Sequence, residues 1–234
     1  MGQMQIPAAG TGSTVPLKGM RKMIAAKMSE SLQTAAQLTH HAECDLTALQ
    51  ARRAKLKAAG SLVSLQDLLL FEIVRTLKDH PGLNATLTDN QITRHGSVHL
   101  GLAIPLPDDL LVAPALFDAD QLDAEGLALA RRALVDKALS GKLSVKELTG
   151  ATVTVTNLGL SRVRFFTPIL NVPQVAIIGL GGVQRRLQRD TDDALVERDF
   201  MGLSLTFDHR AVNGAPAADF IDDLCQRIEG GEPS

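Results

Sequence analysis

The apolar run from Gly202 to Phe207 ends in a polar triplet, Asp208-His209-Arg210, and an amphipathic helix begins a few residues later. No other stretch constrains the fold as much. Over 215–228 the residues Ala217, Phe220, Ile221, Leu224, Cys225 and Ile228 fall on one stripe, the pattern of a helix that covers something apolar. The triplet therefore stands at a strand end, where a rigid scaffold presents side chains.

The same reading extends along the chain. Met20, Ile24, Met28 and Leu32 recur every four residues and predict a helix over 19–34. A strand follows over 37–45, then a basic helix over 46–59 with Arg52, Arg53, Lys55 and Lys57 outward. Ser64 reads as the N-cap of a helix carrying Leu65, Leu68, Leu69, Ile73 and Leu77. That helix stops at His80-Pro81, because a residue before proline disfavours the α conformation. LNATLTDNQITRH predicts a hairpin turning at Asp89-Asn90. Strands are expected over 97–105 and 110–116, and an Ala/Leu-rich helix over 121–140. Thr152 to Thr156 alternates with period two, a half-buried strand. Further strands are expected near 163–169, 174–180, 183–189 and 195–207. Hairpin spacing makes the strands mostly antiparallel, and the helices come in separate blocks. The fold class is α+β, with helices layered on a mixed sheet.

Composition narrows the function classes. The 234 residues carry 24 Lys+Arg and 26 Asp+Glu, a net charge of −2, which argues against a general nucleic-acid binder. No apolar run reaches a membrane span; Glu72 interrupts the best one, Leu68 to Val74. No signal peptide is visible. Cys44 and Cys225 lie far apart and read as buried free thiols in a reducing compartment, Cys225 on the packed stripe of its helix. Without Trp or Tyr, recognition by aromatic stacking is disfavoured. Residues 1–16, ending PAAGTGSTVP, read as a flexible linker or tail.

Two segments could carry chemistry. His209 is a natural general base near neutral pH, or a histidine that bonds its own turn. Thr156 and Asn157, at the end of TVTVTNLG, offer donors for a developing oxyanion, or simply close a Thr-rich strand. Ile178-Gly179-Leu180-Gly181-Gly182 fails the dinucleotide pattern, since Gln184 replaces the third glycine, and reads as a strand end and tight turn. His95 and His99 do not have a metal-ligand setting, and His40 and His41 point to opposite faces of a strand. Arg185, Arg186 and Arg189 read as a solvated hairpin edge.

Taken together, these segments resemble the catalytic domain of the dihydrolipoamide acyltransferases, the core component of 2-oxoacid dehydrogenase complexes. VPLKGMRKMIAAKMSESLQT resembles the family's entry helix, and HPGLNATLTDNQI its internal hairpin. LGLAIPLPDDLLVAPAL resembles its GLAVxTPxGLxVPV stretch. TVTVTNLG with FTPILNVPQVAIIGLG resembles its central strands, and FDHRAVNGAPAADF its DHRxxDG signature. The resemblance covers about residues 17–229, leaving 230–234 as a polar tail.

The resemblance implies a two-layer fold like chloramphenicol acetyltransferase, and a trimer with each active site at a subunit interface. It implies acyl transfer, of acetyl by expectation, between dihydrolipoamide and coenzyme A, without a metal. His209 corresponds to the general base and Thr156 to the oxyanion-stabilising hydroxyl; Asn213 stands at the place of the family's Asp. His41, Asn157 and Asp208 are expected along the substrate channel. Residues 1–16 are too short for a lipoyl or peripheral-subunit-binding domain, so the chain is expected to be either an excised core or a stand-alone form, with lipoamide expected on a separate lipoyl domain alongside other dehydrogenase-complex components. The polar ending Ile228 to Ser234 lacks the apolar anchor that knits large cages, which implies an isolated trimer. A bacterial cytoplasm or a mitochondrial matrix suits the reduced cysteines. Two alternatives stay open: a non-catalytic core subunit, and a trimeric acyltransferase with a different acceptor.

Overall fold

The computed structural model describes residues 14–107 and 109–230. The chain begins with α1 (Gly19–Thr34), β1 (Gln37–Asp45), α2 (Thr47–Ala58) and α3 (Leu65–Asp79). Six short strands follow: β2 (Ala85–Thr88), β3 (Gln91–Arg94), β4 (Leu100–Leu102), β5 (Ile104–Leu106), β6 (Leu110–Val112) and β7 (Ala115–Leu116). The second half holds α4 (Ala124–Leu139), α5 (Val145–Thr149), β8 (Val153–Asn157), β9 (Ala176–Arg189), β10 (Leu195–Asp208) and α6 (Gly214–Ile228). The expected tails fall largely outside this: 1–13 and 231–234 lie beyond the described residues.

A six-stranded sheet in the order β1-β10-β9-β8-β4-β7 forms one layer. It is mixed: β8 runs parallel to both β4 and β9, and the remaining neighbours are antiparallel. Helix α6 packs on β1 and β10, and α3 packs against α6 and α4, giving the second layer. The core lies between. Leu68, Leu69, Leu70, Ile73 and Leu77 of α3 are buried against Leu203, Leu205 and Phe207 of β10 and Phe220 and Leu224 of α6 in one cluster. Helix α3 starts where Ser64 predicts it: the Ser64 hydroxyl accepts from Asp67 N–H, and the Asp67 carboxylate accepts from Ser64 N–H. Asp67 is fully buried and paired with Arg131; buried Glu72 is paired with Arg52 and Arg75. Cys44 is buried and Cys225 half-buried on this core. The hydrogen bond with Cys225 and burial push the Cys44 thiol far above its ordinary value, so it packs as a neutral thiol. No helix among the described residues is long and apolar enough to cross a membrane.

Several expectations change. The strands expected near 174–180 and 183–189 are one strand, β9, and Gly181-Gly182 lies in its middle rather than at a turn. The strand expected near 163–169 does not form. Instead this segment crosses over the sheet, and the glycines exist for that approach. A Cβ on Gly181 or Gly202 would land on the Arg164 carbonyl oxygen, and one on Gly182 on that of Ser161. The segment is not half-buried: Thr152 to Val155 are buried on both faces, the valines in the core and the threonines under Asn84, Asn171 and Gln174. The strands expected over 97–105 and 110–116 break into four short pieces, β4 to β7. Helix α5 was not anticipated.

Candidate active site

At the end of β10 the chain is pinned to the entrance of β1. The Asp208 carboxylate accepts from the N–H of Ala36 at 3.3 Å and of Arg210 at 3.1 Å. It also accepts from the Arg210 guanidinium, at 2.6 Å from its terminal nitrogen. Burial raises the Asp208 carboxyl; the Arg210 guanidinium and the two backbone N–H groups outweigh it and hold the pKa below the ordinary carboxylate range. Asp208, expected along the channel, is thus turned inward at 2 % exposure and holds the turn. His209 N–H donates to the Ala36 carbonyl at 2.8 Å, so one peptide unit anchors both residues. The backbone bonds the turn and leaves the His209 ring exposed, 5.8 Å from the Phe207 ring. Asn213 is the N-cap residue of α6 in extended conformation, exposed, and does not spend its side chain on a capping bond.

Thr156 lies one residue from the end of β8 and is half-buried. Its hydroxyl has no hydrogen-bond partner among the described residues of this subunit. Asn157 turns its side chain back on the chain, where Oδ1 accepts from Gly159 N–H at 2.7 Å. The row beneath Thr156 is firmly held: Thr154 Oγ1 donates to Gln174 at 2.7 Å and accepts from Asn171 at 3.2 Å.

Register separates the two candidate side chains, His209 and Thr156. Thr156 pairs with Gly179, which pairs with Ser204. His209 stands five residues beyond Ser204 along β10, roughly 17 Å, and two strands, roughly 10 Å, from β8. One subunit does not bring them together. Clefts of about 380 Å³ and 310 Å³ flank α4, lined by residues such as Leu129 and Arg132 or Arg131 and Val135, and reach neither. The exposed apolar side chains Leu158, Leu160, Val163 and Phe165 extend from Thr156 along the crossing segment.

The other candidates are placed as follows. His41 sits on β1 with Nδ1 2.9 Å from the Ser204 hydroxyl, a buried partner that sequence reasoning missed because it is distant in the chain. His40 packs on Phe207, on the opposite face. His95 bonds Thr86, and His99 Nδ1 accepts from Asp118 N–H. Arg185 and Arg189 are largely exposed, whereas Arg186 joins Arg164 on Glu43. The Arg186 guanidinium is the main cause that holds the Glu43 carboxyl below its ordinary value.

Comparisons with known proteins bear on the fold and the family. The acetyltransferase component of the acetoin cleaving system of Bacillus subtilis is 38% identical over 224 residues, covering 92% of this chain and 55% of that protein. The chain spans about half the length of the curated relatives it matches. The dihydrolipoamide acetyltransferase of Azotobacter vinelandii superimposes with a TM-score of 0.84 at 32% identity, covering 97% of each chain. The role of a serine, a histidine and an asparagine in that enzyme's catalytic mechanism was the subject of its crystallographic and enzymatic investigation, the asparagine four residues beyond the histidine, as Asn213 is beyond His209. The cubic core of a pyruvate dehydrogenase multienzyme complex gives a TM-score of 0.86 at 32% identity, again over 97% of each chain. Chloramphenicol acetyltransferase, at 13% identity, shares the fold with a TM-score of 0.56 over 88% of this chain and 92% of its own. The family model described as 2-oxoacid dehydrogenases acyltransferase (catalytic domain) matches residues 9–233, and the chain belongs to that family.

Proposed function

We propose that this chain moves an acyl group, acetyl in the first instance, between dihydrolipoamide and coenzyme A, in a trimer whose active sites lie between subunits. The lipoamide comes on a lipoyl domain. The separation of His209 from Thr156 carries the reading. Within one subunit a base and a free hydroxyl are held rigidly and too far apart to act on one thioester; a second copy supplies the missing half of each site.

In the proposed site His209 takes the proton from the coenzyme A thiol, which is mostly protonated at pH 7. The thiolate attacks the carbonyl of the acyl-lipoamide thioester. The Thr156 hydroxyl donates to the oxyanion, and Asn213 lies beside the base as a neutral polar group. Collapse breaks the bond to the dihydrolipoyl sulfur, which recovers the proton from His209. A positioned base contributes roughly 10²–10⁴ in rate, and an oxyanion donor roughly 10²–10³.

The test is complementation. Transfer from acetyl-coenzyme A to free dihydrolipoamide is measured for the wild-type chain, for His209→Ala, for Thr156→Ala, and for the two variants co-expressed. Each variant alone is expected to be nearly inactive. In mixed trimers about a quarter of the interfaces join an intact His209 to an intact Thr156, so activity returns in that proportion. No activity in the wild-type trimer would refute the transferase, and no recovery on mixing would refute the shared site.

A further inference from the structure

The sheet face that carries Thr156 holds a second polar group that the acyl-transfer chemistry leaves unused. Thr156 stands opposite Gly179, Gly179 opposite Ser204, and Ser204 opposite His41. Residues directly opposite share a face, so the four form one row. Gly179 leaves room for an aromatic ring: a Cβ there would sit 2.7 Å from Cζ of Phe166. The Phe166 ring therefore lies between Thr156 and Ser204. Beyond it the His41 ring rests against Phe165, with centroids 5.5 Å apart.

Ser204 sets the chemistry of that imidazole. It is fully buried; its oxygen accepts from Phe166 N–H at 3.4 Å and lies 2.9 Å from His41 Nδ1. A buried hydroxyl proton requires an acceptor. Among the described residues His41 Nδ1 is the acceptor in reach, so the hydroxyl donates to it. The ring is then the tautomer that carries its proton on Nε2; His41 is an exposed residue, and that N–H has no hydrogen-bond partner among the described residues. The result is an oriented donor at the rim of a face otherwise lined by two phenyl rings. It lies three strand spacings, roughly 14 Å, from Thr156.

We propose that His41, positioned by Ser204, binds the amide carbonyl of the flexible thiol-bearing arm whose thioester sits at Thr156. This rests on Thr156 as the oxyanion donor. The span matches an extended arm with several methylenes between sulfur and amide, and Phe165 and Phe166 lie where those methylenes run. Dihydrolipoamide carries such an amide, and in the pantetheine of coenzyme A the second amide lies at comparable reach; the experiment separates them.

Steady-state transfer is measured on the wild-type trimer and on His41→Phe, His41→Gln and Ser204→Ala, varying each substrate. Each is also compared with a counterpart lacking the amide: a short alkane dithiol for dihydrolipoamide, and a simple alkyl thioester for acetyl-coenzyme A. His41→Phe is expected to raise KM for one amide-bearing substrate roughly three- to tenfold, the worth of one hydrogen bond, with kcat within about twofold. KM for the matching amide-free substrate stays unchanged. The substrate that responds identifies the arm. His41→Gln, which restores a donor, recovers most of the loss, and Ser204→Ala reproduces part of it. An active His41→Phe trimer with unchanged KM for both substrates overturns the proposal and leaves the transferase intact. So does an equal KM rise with amide-bearing and amide-free substrates, which marks a merely structural residue. If His41→Phe fails to assemble, His41→Gln and Ser204→Ala decide alone: the proposal falls unless Ser204→Ala raises KM for an amide-bearing substrate selectively. An inactive wild-type trimer refutes the underlying transferase reading instead.

Discussion

Asp208→Asn disturbs the candidate active site without removing either candidate side chain, His209 or Thr156. The carboxylate is 2 % exposed and accepts from Ala36 N–H, Arg210 N–H and the Arg210 guanidinium. An amide in its place turns a donor toward donors. Breaking a buried ion pair costs about 3–5 kcal/mol. Arg210 is 45% exposed and rehydrates when released, so the loss here is about 2–3 kcal/mol. In a chain of this size each kcal/mol moves Tm by about 2–4 °C, so Tm should fall by about 4–12 °C at fixed protomer concentration. The same change loosens Ala36, whose carbonyl holds His209 N–H. A base displaced by about 1 Å loses roughly 10² in rate, and kcat should fall by that order.

The acid side gives an independent check. Arg210 and the two N–H groups outweigh burial and hold the folded Asp208 carboxyl below its unfolded value of about 3.9. A depressed carboxyl stabilises the fold fully above the unfolded pKa, and that stability is lost as pH falls through the folded pKa. The gap in stability between wild type and Asp208→Asn should therefore be full at neutral pH and narrow below about pH 4. Thermal melts across pH, with acetyl transfer assayed at neutral pH, measure both. A variant with wild-type Tm and kcat, or a gap that persists undiminished into acid, would refute the clasp.

Thr156→Val, which keeps the shape of the side chain and removes the hydroxyl, should lower kcat roughly 10²–10³ with little change in KM, and Thr156→Ser should restore most of it. Gly181→Ala places a Cβ on the Arg164 carbonyl and should destabilise by at least about 1–3 kcal/mol in denaturant melts. Gly82→Ala, with nothing within 4 Å of the added carbon, is the control and should melt within about 0.5 kcal/mol of wild type. Glu147 is held down to about 2 by Lys137 and by the hydroxyl and N–H of Ser144; carboxyl NMR titration should find it there, and Lys137→Ala should raise it.

Local signals carried most of the fold. The four-residue recurrence in α1, the Ser64 cap of α3 and the Asp89-Asn90 turn depend only on neighbouring residues. Asp89 and Asn90 take φ of 50° and 60°, as a tight hairpin demands. Even α5 announces itself in a local pattern, Ser144 followed by Glu147 as a capping box. What sequence reading missed has distant causes. Gly181 and Gly182 look like turn residues, yet they sit inside a strand, where the 161–164 backbone crosses. The threonines of 152–156 look like a solvated face. Thr152 instead donates to Asn84 at 2.6 Å and Thr154 to Gln174, partners 68 and 20 residues away that let a polar row be buried.

The site divides along the same line. The chemistry of each group is legible in its own segment: an imidazole at a strand end, a hydroxyl at another, an asparagine opening a helix. Their relation is not, because it depends on the register of β8, β9 and β10 together. That register puts base and hydroxyl on one sheet at a distance no small thioester bridges. On the proposed reading, a single copy then holds a base without an oxyanion donor and an oxyanion donor without a base. Both are fixed by hydrogen bonds within their own subunit, the base through Ala36 and the β8 row through Gln174, so neither has to fold in order to meet the other. In the proposed assembly the fold and the activity consequently separate. Dilution that dissociates the trimer should abolish transfer while secondary structure persists, because the folded subunit keeps every contact that places each half of the site and loses only the other half.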